Sequence, residues 1–349
     1  MTRYSLPLAI LLTAAFSVVT SLYALPRLSV EHVTPCKTCH INPNGGGMRT
    51  EFGNVSVAAN ELCLPQSKKL VSAHTKSPRV AKNLLIGFDS RYLVFDNGRI
   101  FRMQTDLFAA FTPFDNFYYQ FRFWESGITE NYALMYFADE KYYVKIGRFY
   151  PAFGLRNADH TAYNRQRTGF LSTQYLDGLS AGAQFGGLKV VGEVFNVDEQ
   201  SIVGGHTTYN YYLHPFGLFA GASFRWSEVK VDGGVPSNRT FPHAKAVFGG
   251  VNYDRFTLLG EMDFAGRSND SLIFYANLTT RLEYGLYLIG EYSFFDADRH
   301  YRSPEDEFVR LSMELFPLPF VELRPSYTYY TRGLMKKQDD FFVQVHFGY

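Results

Sequence analysis

Phe101-Arg102-Met103-Gln104-Thr105-Asp106-Leu107 alternates residue by residue, with Phe101, Met103, Thr105 and Leu107 in one set and Arg102, Gln104 and Asp106 in the other. Successive side chains of a strand point to opposite faces, so the stretch reads as a strand with one apolar and one polar face. The pattern recurs. Phe117, Tyr119, Phe121 and Phe123 alternate against Gln120 and Arg122, and Phe256, Leu258, Met262 and Phe264 against Thr257, Glu261 and Asp263. Val309, Leu311, Met313 and Leu315 alternate against Arg310, Ser312 and Glu314. The inward set as a whole would hold Arg102, Arg122, Glu193, Glu261, Asp263, Arg310, Glu314, Glu322 and Arg324. Burying these charges in the dry core of a β-sandwich would be costly, whereas a wet lumen accepts them. The expected fold is therefore all-β: an antiparallel transmembrane β-barrel whose apolar faces meet lipid and whose polar faces line the lumen.

Working outward, sixteen such segments fall near 84–95, 99–112, 116–126, 130–138, 141–149, 178–186, 187–197, 206–213, 216–228, 244–253, 255–265, 271–284, 285–296, 307–317, 319–331 and 339–349. Barrels of this kind have short periplasmic turns and longer external loops. Sixteen strands put the tight turns near 112–116, 138–141, 186–187, 214–217, 253–255, 284–285 and 317–319 on the periplasmic side. They put 197–206, 229–243, 296–307 and 332–339 outside. The segment around Tyr209 is the weakest strand, and without it every later turn would change sides.

Composition agrees with this fold. Aromatic residues make up 17% of the chain, with 33 Phe and 25 Tyr, and membrane barrels use rings for girdles at both interfaces. Thirty-four basic and 33 acidic residues give no reason to expect nucleic acid as a partner. Residues 1–24 read as a signal peptide: Arg3, an apolar run from Leu6 to Val19, and the small residue Ala24 at the cleavage point. The run is short for a membrane span of about 20 residues.

Between signal and barrel, residues 25–80 lack the alternation and contain Cys36-Lys37-Thr38-Cys39-His40. CxxCH is the attachment motif of a c-type haem. Cys36 and Cys39 would hold one covalent haem c through thioethers, with His40 as the proximal iron ligand. Zinc would need about four N or S ligands, and the one further cysteine, Cys63, is followed by no second CxxC. A Cys36–Cys39 disulfide is the other alternative in an oxidising compartment. His74 is the preferred distal ligand, with Met48, His32 and His346 as further candidates. Asn42-Pro43-Asn44-Gly45-Gly46-Gly47 follows the motif and is expected either to wrap the haem edge or to form an ordinary turn. Some 55 residues bury too little area for a core of their own, so this segment should dock in or against the barrel at 81–349, where it could plug the lumen.

Residues 149–177 form the longest external loop, and long loops are commonly functional. Arg148, Arg156, Arg165 and Arg167 cluster there, either as an anion-attracting constriction or as solvated loop charge. Asp159 and His160 are adjacent but come with no nucleophile arrangement, and no acid–base constellation points to a conventional enzyme.

With motif, barrel and a last strand ending Phe341-Phe342-Val343-Gln344-Val345-His346-Phe347-Gly348-Tyr349 in view, the chain resembles fused monohaem cytochrome–porins. The best-known relatives accept electrons from extracellular Fe(II). The terminal aromatic resembles the signature read by outer-membrane barrel-assembly machinery. The resemblance implies residence in outer-membrane lipid and electron exchange between an extracellular donor or acceptor, iron among them, and a periplasmic cytochrome or other redox carrier. The Asn-Pro-Asn-Gly-Gly-Gly continuation departs from the ending associated with the iron-oxidising members. The alternative is a porin for small anionic solutes with the haem as sensor or structural plug.

The motif reading has a direct check. Denatured protein is expected to keep its haem on a peroxidase-stained gel, and Cys36→Ala combined with Cys39→Ala to lose it; bound zinc without haem absorbance contradicts the reading.

Overall fold

The computed structural model describes residues 26–70, 77–124, 127–157, 161–168, 175–197, 200–227, 243–266, 271–300, 305–333 and 337–349; the expected signal peptide over 1–24 lies outside them. The barrel strands are β1 (Leu84–Phe95), β2 (Ile100–Phe111), β3 (Phe117–Trp124), β4 (Gly127–Phe137), β5 (Tyr142–Phe149), β6 (Leu176–Phe185), β7 (Leu188–Val197) and β8 (Gln200–Leu213). They continue with β9 (Phe216–Ser227), β10 (Ala244–Tyr253), β11 (Phe256–Ala265), β12 (Ser271–Glu283), β13 (Leu286–Asp296), β14 (Asp306–Leu318), β15 (Val321–Arg332) and β16 (Asp339–Gly348). Each pairs antiparallel with its neighbour in sequence, and β16 pairs with β1 from Phe342↔Phe95 to Gly348↔Asp89, which closes a sixteen-stranded barrel. A three-residue strand, Arg79–Ala81, folds back onto β1 at Leu84 and Leu85.

The period-two pattern is realised as an inside and an outside. Leu107, Leu258 and Val309 are each about half exposed, at 50%, 47% and 46%. Arg122, Glu193, Glu261, Asp263, Arg310, Glu314, Glu322 and Arg324 are buried on the other face. Exposed rings cluster beside the tight turns: Phe137, Tyr142, Phe185, Tyr212, Phe216, Tyr253, Phe256 and Tyr284. That is the girdle expected where the barrel leaves the hydrocarbon.

The structure departs from the sequence pattern at three places. The Tyr209 segment is a strand, but β8 begins at Gln200, and Val197 pairs with Gln200. The external loop expected over 197–206 is therefore mostly sheet; Gly204 and Gly205 carry no side chains to register in an alternation. Arg102 is exposed, not inward; it lies past a register irregularity between Arg91 and Tyr92. Met313 is on the outward face as expected, yet it is only 2% exposed. Leu64 covers it together with Leu286.

That cover comes from the N-terminal segment, most of which lies in the lumen. Helix α1 (Pro26–Glu31) packs against β9, β10 and β11. The Arg27 guanidinium pairs with Glu314 at 2.7 Å and stacks 4.1 Å above the Tyr287 ring, and Glu31 pairs with Arg281. A π-helix over Gly53–Glu61 brings Val57 and Ala58 against Leu28, Leu62, Tyr287 and Phe316. The chain then crosses the rim: Ser67 Oγ donates to the Pro317 carbonyl at 2.6 Å, Lys68 lies over the Tyr284 ring, and Leu64 packs on the outer wall. Lumen and rim thus supply the apolar surface that this segment lacks by itself.

Leu311 lies near the middle of β14 on the outward face and is 40% exposed. A charge at the membrane midplane of a barrel costs roughly 2–4 kcal/mol. Leu311→Arg is expected to reduce the heat-modifiable folded band on unboiled gels and Leu311→Phe to leave it intact; equal tolerance of both contradicts the assigned lipid face.

Candidate functional site

The motif occupies a short 3₁₀ turn, Cys36–Thr38, which returns the chain so that the His40 N–H donates to the Cys36 carbonyl at 3.0 Å. A bridge between His40 and Arg49 closes the following loop. Gly45, Gly46 and Gly47 all have positive φ, 82°, 70° and 66°, a conformation that costs residues with a Cβ but not glycine. A Cβ on Gly46 would also fall 2.8 Å from the Arg156 guanidinium carbon, so the arginine head would have to move to admit one. Gly53 lies so close to the Cys39 carbonyl that a Cβ there would overlap it.

Three barrel contacts hold this loop. Lys145 Nζ donates to Asn42 Oδ1 at 3.4 Å, Lys189 Nζ to Asn44 Oδ1 at 3.2 Å, and Lys37 of the motif reaches the turn at Glu140, donating to its carbonyl at 2.9 Å. Arg49 Nη1 donates to Asn54 Oδ1 and to the Gly348 carbonyl, both at 3.1 Å. Arg49 therefore ties the loop after the motif to the last barrel strand.

From the opposite side the chain after β5 folds into the lumen. Its backbone N–H groups are taken up by the barrel wall: Ala152 donates to Glu193 Oε2 at 2.7 Å, Gly154 to Ser223 Oγ at 3.0 Å and Leu155 to Glu261 Oε2 at 2.9 Å. A short helix α2 (Tyr163–Gln166) follows, its Tyr163 N–H bonded to Ser293 Oγ. The Arg156 guanidinium donates to the Gly45 carbonyl, so loop and motif segment meet.

Between them is a cavity with about 250 Å³ open to the centre of a water molecule. Cys36, Cys39 and His40 line it, with Pro26, Leu28, Phe52, Val57, Tyr150, Phe153, Leu155 and Phe219 as its apolar walls. Arg49, Arg156 and Lys189 add three cations. These residues fit a haem c. Both thiols stand free and face the same space. Burial, helped by the Arg49 and Arg156 charges, pushes the His40 imidazole down to about 3, so it is held neutral, the form that binds a metal. His40 Nδ1 is buried and makes no well-formed hydrogen bond, although the Gly46 and Gly47 carbonyls lie near enough to favour its proton. A ligating imidazole needs an acceptor of that kind at its far nitrogen to fix its orientation. The apolar walls suit a macrocycle, and the cations suit its two propionates. Burial, followed by the Cys36 charge, pushes the Cys39 thiol up to about 11. Among the described residues no group of three or more His, Cys, Asp and Glu side chains is arranged to hold a metal ion by itself.

The other sequence candidates separate. His74, Asp159 and His160 lie outside the described residues. Met48 packs into the barrel-wall cluster with Ile41, Leu85 and Phe108, not onto the cavity. His346 has both ring nitrogens engaged, Nδ1 with Glu322 at 3.2 Å and Nε2 with Asp89 at 2.8 Å. His32 does line the cavity, but its Nε2 pairs with Glu61 at 2.7 Å. Cys63 is buried, its Sγ 3.1 Å from the Ala59 carbonyl. The four loop arginines do not form a ring. Arg148 points outward beside Asp177 at 3.6 Å, because β5 turns its odd-numbered residues inward. Arg167 is half exposed and pairs with Asp306. Only Arg156 and Arg165 converge, stacked on the Tyr150 ring at 4.7 and 5.0 Å. The sequence alone does not single out His206, Lys189, Tyr150 or Arg49, each being one polar or aromatic residue in a strand or loop.

No protein-family model and no curated protein sequence matches the chain. Solved structures match its fold. OmpT of Vibrio cholerae, expressed in the outer membrane, aligns with a TM-score of 0.57 at 10% identity over 78% of this chain and 100% of its own. OprB of Pseudomonas putida, in its high-pH structure, gives 0.59 at 9% identity over 77% and 94%. A triple mutant of the Rhodopseudomonas blastica porin gives 0.55 at 11% identity over 76% and 100%. The chain has the fold of these outer-membrane barrels.

Arg49→Ala removes two buried, charge-assisted hydrogen bonds, each worth about 1.5–3 kcal/mol. It is expected to make residues 26–70 accessible to protease while the barrel keeps its folded gel mobility; an unchanged cleavage pattern contradicts this anchoring role.

Proposed function

We propose that the protein is an outer-membrane electron conduit, a barrel that carries a covalent haem c within its lumen. The observation that carries the reading is the meeting of Cys36, Cys39 and His40 on one cavity walled by both the N-terminal segment and the barrel. When bound, the haem supplies one-electron chemistry. The chain's own residues do the rest. Cys36 and Cys39 hold the group covalently, His40 offers a neutral imidazole, and the apolar walls restrict water and so tune its potential. The inward loop, bonded to Glu193, Ser223 and Glu261, covers the cavity from the external side.

The apolar band of such a barrel is about 25 Å tall, more than one haem covers. The account therefore needs a redox partner on each side: an extracellular donor or acceptor, with iron among the candidates, and a periplasmic cytochrome or other carrier at the mouth near Lys37 and Glu140. A second reading, a porin for small anionic solutes with the haem as plug or sensor, draws support from Arg156 and Arg165 stacked on Tyr150 and from the porin-type fold.

Two measurements on one preparation separate the readings. In proteoliposomes the intact protein is expected to pass little ionic current yet to carry electrons from an external donor to an enclosed acceptor, and His40→Ala to stop the electrons without opening the pore. High single-channel conductance with electron transfer indifferent to His40 favours the solute porin.

A further inference from the structure

We infer that His206, on the barrel wall, is the second axial ligand of the haem iron bound by His40. This rests on the haem reading above and adds to it a specific contribution of the barrel. An iron in the cavity can draw a second nitrogen or sulfur ligand only from side chains that face it. Apart from the motif, three such side chains among the described residues line the cavity with a nitrogen that can ligate: His32, Lys189 and His206. Lys189 Nζ is engaged by the Pro43 carbonyl and Asn44 Oδ1. His32 Nε2 is engaged by Glu61, which leaves for a metal only Nδ1, the nitrogen crowded by its own Cβ, and its side chain is 35% exposed.

His206 differs from both. It is 8% exposed, its ring is stacked on Phe248 at 5.5 Å and 16°, and its Nδ1 lies 2.8 Å from Ser223 Oγ. Ser223 is in turn fixed by the Gly154 N–H of the inward loop at 3.0 Å. A hydroxyl oxygen has two acceptor sites, so Ser223 can accept from both Gly154 N–H and His206 Nδ1–H. That tautomer leaves the lone pair on Nε2, the ring's remaining nitrogen. A metal-bound histidine ordinarily has its other ring N–H held in this way. Ser223 is then a positioning residue, and the loop that covers the cavity also orients the ligand. An axial bond from His206 would join the N-terminal segment to the barrel wall through the iron.

The test is spectroscopic and uses the full-length holoprotein in detergent. Covalent haem is first measured by pyridine haemochrome, and the folded barrel is checked by its gel mobility. Wild type is expected to give the electron paramagnetic resonance spectrum of a low-spin, bis-histidine haem. His206→Ala is expected to keep the haem content and turn the iron high-spin, and added imidazole to restore the low-spin signal. His206→Met is expected to stay six-coordinate with a raised potential, since a Met/His pair raises it. Ser223→Ala is expected to leave the iron low-spin with altered g-values. His32→Ala and His74→Ala are expected to leave the iron low-spin. A low-spin bis-histidine spectrum that survives His206→Ala, or one that is lost with His32→Ala or His74→Ala, overturns the assignment while leaving the haem reading intact. Wild-type protein with no covalent haem overturns both, and the haemochrome measurement tells the two failures apart.

Discussion

In hydrocarbon no water is available to pair a backbone N–H or C=O, so every such group must find its partner within the protein. The pairing of β16 with β1 meets this demand by leaving no open edge, and the rest of the architecture depends on that closure. Closure creates a lumen, and the alternation of strand side chains turns most of the polar residues of the strands into it, beside an apolar patch of Leu85, Phe108, Leu134 and Phe195. The inner wall therefore holds Arg122, Glu193, Glu261, Asp263, Arg310, Glu314 and Arg324 whether or not anything occupies the middle. Removing one partner of a buried pair leaves a charge that is expensive to keep.

The N-terminal segment and the inward loop answer that demand from opposite sides. Arg27 joins Glu314, which also lies 3.7 Å from Arg324, and Arg324 reaches Glu291 at 3.3 Å. The loop after β5 donates backbone N–H groups to Glu193 and Glu261. At Glu193, Glu261 and Glu314, wall groups that would be solvated in an open pore are here met by polypeptide. The two insertions meet where Arg156 donates to the Gly45 carbonyl, and the apolar cavity is the gap that remains between them.

Most of the barrel was legible in the sequence because its signal is periodic and local. The β11 and β14 stretches face as their alternation requires, and the turns at 186–187 and 284–285 lie where the pattern breaks. Local pattern failed where a long-range contact intervened. Met313 is lipid-facing by alternation, but Leu64, far away in the chain, covers it. Arg148 groups with the loop arginines by its place in the sequence, although it falls within the strand at 141–149, whose alternation turns it outward. Gly204 and Gly205 hid the first half of β8. At the proposed site, Cys36, Cys39 and His40 are legible as a motif because covalent haem attachment would require that spacing. His206 is not: it becomes a site residue only when closure of the barrel sets it on the same cavity as the motif, and no spacing along the chain encodes that.

The central claim is that a haem iron lies inside the barrel, between His40 and the inward loop. Anomalous diffraction from crystals of the holoprotein at the iron absorption edge tests it most directly. The account predicts one iron peak within the lumen, in the cavity lined by Cys36, Cys39, His40 and Tyr150. An iron peak below the periplasmic mouth, or no iron peak from protein that fills the barrel as described, would contradict it.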